Sequence, residues 1–157
     1  ANGNSMPGDE IKLKKKGTVS LDVSWTSLKE QTGNVEIVCN GKVVSSQNAN
    51  TSPGKPFELS SNLEIAISSW VCARRMNDKG HVVHTAPIYI TVKNKPVRAS
   101  VEDAQFFIKW IDNMLEKTSA GGDWNHFFSH DLDFVQGRYK KARDIYRKIL
   151  VEAQKEK

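Results

Sequence analysis

Residues 63–92, LEIAISSWVCARRMNDKGHVVHTAPIYITV, constrain the fold more than any other part of this chain. They read as a long, largely apolar strand over 63–74 that runs into the pair Arg74-Arg75. A turn-rich patch follows at 77–80, and a second strand begins near Pro87. A strand this apolar needs cover on both faces, which places it at the centre of a β-sandwich rather than at a solvated edge. The stretch holds no nucleophile, phosphate loop or complete metal site. It reads as supporting structure, not a reaction centre.

The rest of the first two thirds agrees. Val19, Leu21, Val23 and Trp25 alternate with Ser20, Asp22 and Ser24, the pattern of a half-buried strand. Residues 35–39 and 42–46 flank Asn40-Gly41, the strongest short hairpin signal in the chain. Short strands at 11–13, 57–59 and 88–92 bring the total to about seven, at sandwich-like spacing. Nothing helical intervenes, which argues against a parallel α/β sheet. The fold class is therefore mainly β: an Ig-like antiparallel sandwich of about seven strands over residues 1–97.

After Pro96 the period changes. Ser100 is placed to cap a helix whose first turn carries Glu102 and Asp103. Ala104, Phe107, Ile108, Ile111 and Leu115 then share one face. Gly121-Gly122 interrupts, and a second helix starts around Asp131 or Asp133, with Val135, Tyr139, Ala142, Tyr146, Ile149 and Ala153 in helical register. Residues 98–157 thus form a C-terminal helical hairpin, expected to pack on the sandwich as one structural domain or against something outside this stretch.

Composition narrows the function classes. At 157 residues, 38% hydrophobic and 26% charged, the chain belongs with globular proteins. No apolar run approaches the roughly 20 residues of a bilayer span. The start, ANGNSMPGDE, reads as a processed chain or a fragment. The net charge of +5 gathers at 12–16 and 138–148, but Asp133, Asp144 and Glu152 break up the second cluster. Without interleaved aromatics this is a solvated helix face, and no nucleic-acid partner is expected.

Candidate sites fare no better. Cys39 and Cys72 lie in separate strands; two buried free thiols are the plainer reading than a bridge, and no CxxC spacing supports zinc. His81 and His84 would point to opposite faces of a strand, and would meet only if His81 lies in the turn. His126 and His130 have i, i+4 spacing, but Phe127 stands where zinc peptidases carry their glutamate base, and the segment resembles a loop. No GxSxG elbow or glycine-rich phosphate loop exists. No catalytic residue, metal ligand or cofactor is assigned to this chain. Aromatic surface stands out instead. Phe106 and Trp110 sit about 100–160° from the centre of the first helix's apolar stripe, and Trp124, Phe127 and Phe128 follow. Packing alone accounts for such rings, and so does a docking face.

Several motifs also occur in a suggestive order: Pro7-Gly8-Asp9 with Ile11; Val35-Glu36-Ile37-Val38 with Asn40-Gly41-Lys42-Val43-Val44; Ser69-Trp70-Val71-Cys72-Ala73-Arg74; and His84-Thr85-Ala86-Pro87-Ile88-Tyr89-Ile90. A helix start over residues 102–112 follows them. Together they resemble the C-terminal region of the CehA/McbA family of metallohydrolases, in the PHP superfamily, over most of residues 4–115. The family's opening His-x-His motif is absent here, so no active-site residue carries over. The resemblance implies a non-catalytic accessory β-sandwich behind a metal-dependent hydrolase. Its partner would be the upstream catalytic domain of the parent chain, a divalent metal would sit only in that domain, and the location would be periplasmic or secreted. The alternative is a carbohydrate- or protein-binding Ig-like module using Trp110 and Trp124. Arg74, Phe106, Trp110 and Trp124 are the candidate docking residues, with Arg74 either a buried anchor or a tip facing the partner.

Overall fold

The computed structural model describes residues 1–98, 100–128 and 130–155. Two compact units divide the chain, Ala1–Val97 and Arg98–Lys157.

The first unit is an Ig-like sandwich of eight strands: β1 (Glu10–Leu13), β2 (Gly17–Trp25), β3 (Asn34–Cys39), β4 (Lys42–Asn48), β5 (Phe57–Ile65), β6 (Ser69–Asn77), β7 (Gly80–His84) and β8 (Ile88–Val92). One sheet has the order β1-β8-β6-β3-β4, with β7 also on β6; the other pairs β2 with β5. β6 is paired on both sides, by β3 on one and by β7 and then β8 on the other. Its central place is the one its apolar sequence calls for. The pairing is not wholly antiparallel, since β1 runs parallel to β8.

Alternation builds the core. Val19, Leu21, Phe57, Leu59 and Ile65 of the small sheet face Val35, Ile37, Val71 and Ile90 of the large one. Burying each such side chain stabilises by roughly 1.5–3 kcal/mol. Between β3 and β4, Cys39 pairs with Lys42, leaving Asn40 (φ 48) and Gly41 (φ 82) as a two-residue turn with both φ positive. That is the conformation for which Asn-Gly is the preferred sequence.

The expected single strand over residues 63–74 is in fact two. Residues 63–65 finish β5 in the small sheet, and the chain crosses at 66–68 to open β6 in the large one. Ser68 makes the crossing tenable. Its buried hydroxyl accepts the Val92 N–H (2.8 Å) and donates to the Lys95 carbonyl (2.8 Å). Residues 57–59 and 63–65 therefore belong to one strand, and β7 raises the count to eight.

In the second unit, α1 (Val101–Thr118) begins as expected, the Ser100 hydroxyl oxygen accepting the Asp103 N–H at 2.8 Å. α2 spans Leu132–Lys155. Phe107 stacks on Tyr146 with centroids 4.9 Å apart, and Arg143 pairs with Asp112 at 3.0 Å. Among the described residues no helix is long and apolar enough to cross a membrane.

Candidate interaction surfaces

β6 carries two adjacent arginines with opposite fates. Val71, Ala73 and Arg75 follow the inward parity of the strand, and Trp70, Cys72 and Arg74 the outward. Arg74 Nε lies 2.7 Å from Glu36 Oε2 on the neighbouring strand β3, with both side chains partly buried. It is thus a mid-strand ion pair on the outer face of the sheet, neither a loop tip nor a core anchor. The core anchor is Arg75, which is 1% exposed. Its Nη2 donates to the Thr32 carbonyl and its guanidinium lies 5.7 Å from the Trp25 ring centroid. Arg75 Nε and Nη1 have no hydrogen-bond partner among the described residues, and burial lowers the pKa of the group. The parity of β6, read from Val71, is the sequence signal that marks Arg75 as the inward residue.

Cys39 and Cys72 are free. Cys72 pairs in register with Val38, and Cys39 with Val71, so the thiols sit one step out of register and face opposite sides of one sheet. Desolvation raises both pKa values above the ordinary thiol value of 9.0, against a smaller lowering by a Ser69 hydrogen bond at Cys39 and by Arg74 at Cys72. In the unfolded chain these thiols ionise near pH 9; in the folded unit they stay protonated higher. The unfolded state then binds fewer protons, and stability contributed by both groups is present below pH 9 and lost as pH rises further. Iodoacetamide is expected to label both thiols several-fold more slowly at pH 8 in the native chain than in urea, and urea midpoints to fall between pH 8.5 and 10.

His81 and His84 do meet, despite their three-residue spacing. Arg75 pairs with Val83 and Met76 with His81, so Val82 drops out of register and the parity of β7 flips. His84 Nδ1 lies 3.1 Å from His81 Nε2, one ring donating and the other accepting. Among the described residues no group of three or more metal-ligating side chains forms, here or elsewhere. His126 lies in a 3-10 turn (Asn125–Phe128), its ring 3.9 Å from that of Phe127, outside the helical geometry that would oppose it to His130.

The aromatic candidates separate. Phe106 is 61% and Trp110 52% exposed, on one flank of α1, with ring centroids 6.2 Å apart and planes tilted 45°. Phe107 bridges them to the α1–α2 seam, 5.4 Å from Phe106 and 6.2 Å from Trp110. Trp124 is different: it is half-buried, with Lys117 Nζ 4.7 Å above its ring.

One cavity of about 370 Å³, which the sequence did not reveal, opens at the edge of the sandwich. Leu21 and Val23 of β2 form one wall, Ile37, Val71, Ala73 and Ile88 the other, and the N-terminal residues Ala1 and Ser5 to Pro7 its rim.

No family model matches the sequence, and no curated protein matches it. Among solved structures, the chain is distantly similar to several domains. They include fibronectin(III)-like modules of Clostridium thermocellum CbhA (TM-score 0.40, 9% identity, 56% of this chain and 93% of that one). Another is the extracellular domain of mouse leukocyte-associated immunoglobulin-like receptor 1 (0.40, 10%, 60% and 89%). A third is the CARDB domain of PF1109 from Pyrococcus furiosus (0.36, 13%, 55% and 86%). Likeness at this level assigns no activity.

Proposed function

We propose that this chain is a non-catalytic protein-docking module, an Ig-like sandwich whose helical unit carries the docking face. The observation that carries this reading is the Phe106–Trp110 pair. Two large rings stand more than half exposed beside an α1–α2 seam that already buries Ala104, Ile111 and Thr118 without them. Exposed aromatic pairs of this kind suit the centre of protein interfaces. A sugar face stacks on a flat, open ring, whereas these planes meet at 45° in a ridge and Trp124 is capped by Lys117.

A narrower reading rests on a separate observation. The motifs that resemble the CehA/McbA family are spread over residues 7–90, yet lie on or beside β1, β8, β6, β3 and β4, neighbours in one sheet. Gly8 donates to the Pro87 carbonyl at 2.9 Å, and Arg74 pairs with Glu36. On this reading the docked partner is the metal-bearing upstream catalytic domain of the parent chain, a PHP-type hydrolase, and the location is periplasmic or secreted.

The double variant Phe106→Ala/Trp110→Ala is expected to keep its unfolding free energy within about 1 kcal/mol of the parent. In affinity purification it is expected to lose at least tenfold of the co-purifying protein. Binding on a glycan array that Trp110→Ala abolishes would contradict the proposal.

A further inference from the structure

β2 pairs with β5 along its whole length, from Gly17↔Ile65 to Trp25↔Phe57, without a register shift. Among the described residues no strand pairs with its other side. The direction of that open side is set by Ser20, whose carbonyl accepts the Asn2 N–H (2.9 Å) and whose N–H donates to Asn2 Oδ1 (2.9 Å). Backbone groups alternate along an antiparallel strand, so the N–H and C=O of Asp22 and Ser24 point the same way as those of Ser20. Asp22 and Ser24 are exposed, and no described residue takes these groups.

This open stretch is also the lip of the 370 Å³ cavity. A strand laid against residues 21–24 would satisfy the outward backbone groups and point alternate side chains between Leu21 and Val23 on one side and Val71 and Ile88 on the other. It would also give the two-stranded sheet a third strand, the number at which sheets become independently stable. Edge strands are commonly guarded by charged residues, Lys above all, by Pro or by a bulge; residues 21–24 have no Lys, Pro or bulge, and Asp22 is their one charge.

Charge selects the occupant. The charged side chain at the cavity lip is Asp22, which accepts from Ser60 Oγ at 2.8 Å. A second copy pairing antiparallel with β2 in the register centred on residue 22 would set Asp22 against Asp22, and like charges directly opposite are destabilising. We propose that the β2 edge is a strand-addition site for an extended peptide with apolar residues at alternate positions and a basic residue opposite Asp22. This site is independent of the α1 face.

The test is to pan a displayed random dodecapeptide library on the full chain and to measure the selected peptides by fluorescence anisotropy and amide exchange. Selected peptides are expected to alternate apolar residues with Lys or Arg and to slow exchange at the Asp22 and Ser24 amides. Ser24→Pro removes an outward donor, a change that edge strands tolerate, and is expected to weaken binding at least tenfold. Ala73→Leu, which fills the cavity from β6, is expected to do the same without disturbing the edge, and each variant's unfolding curve reports its fold. Asp22→Lys is expected to exchange the preference for basic residues for acidic ones. A library yielding no binder, peptides indifferent to both Ser24→Pro and Ala73→Leu, or protection of β2 amides through dimerisation of the chain would each overturn the proposal.

Discussion

Gly33→Ala is expected to destabilise the sandwich by at least about 3 kcal/mol. Gly33 has φ +110, and a Cβ there would lie 2.1 Å from the Met76 carbonyl oxygen and 2.9 Å from Asn77 Cα. Both obstacles are backbone, so no rotamer change relieves them. The residue is pinned in place as well: its N–H donates to Asn50 Oδ1 at 3.1 Å and its carbonyl accepts from Ala49 at 2.8 Å. Moving it would loosen the start of β3 against β4 and β6 together. Gly41→Ala is the control, because φ is +82 there but no atom lies within 4 Å of the added Cβ. It carries only the left-handed backbone penalty, about 1–2 kcal/mol. Urea unfolding of the two variants separates close packing from backbone preference.

The neighbouring arginines give the second large effect. Arg75→Ala is expected to lower stability by roughly 3 kcal/mol: it empties a buried volume under Trp25 and leaves the Thr32 carbonyl without its donor. Arg75→Met keeps the stem and removes a buried charge that no carboxylate neutralises among the described residues. It is expected to fall within about 1 kcal/mol of the parent on either side. Arg74→Ala breaks only a partly solvated pair with Glu36 and is expected to cost under about 1 kcal/mol. Denaturation curves showing Arg74→Ala as the more damaging change would reverse this assignment of inward and outward faces.

Local chemistry was legible in the sequence where one residue type answers one geometric demand. Asn40-Gly41 announced its hairpin, and Ser100 its helix, because each satisfies or adopts what the backbone requires at that point. The crossing at 66–68 was not legible. Ile65, Ala66 and Ile67 continue the apolar run, and only the distant partners of the Ser68 hydroxyl, Val92 and Lys95, reveal that the chain changes sheets. The meeting of His81 and His84 was hidden for a similar reason, since a bulge that skips Val82 has no residue signature of its own. Of the candidate site, the Phe106–Trp110 flank followed from helical period alone. The inward place of Arg75, and the outward one of Arg74, follows from the parity that Val71 and Ala73 set. The cavity could not be read at all, because it depends on how far apart β2 and β6 stand, which no local pattern encodes.

If the Phe106–Trp110 flank is a protein-docking face, a reactive group placed on it meets the partner. The most direct measurement is photo-crosslinking in the native host from a benzoylphenylalanine placed at position 110, with the crosslinked species identified by mass spectrometry. The expected result is one dominant protein adduct, lost when Phe106 is also changed to Ala; a crosslink within the parent chain, to an upstream metal-dependent hydrolase domain, would support the narrower reading. An absence of protein adducts, or a scatter of them unchanged by Phe106→Ala, would contradict the claim.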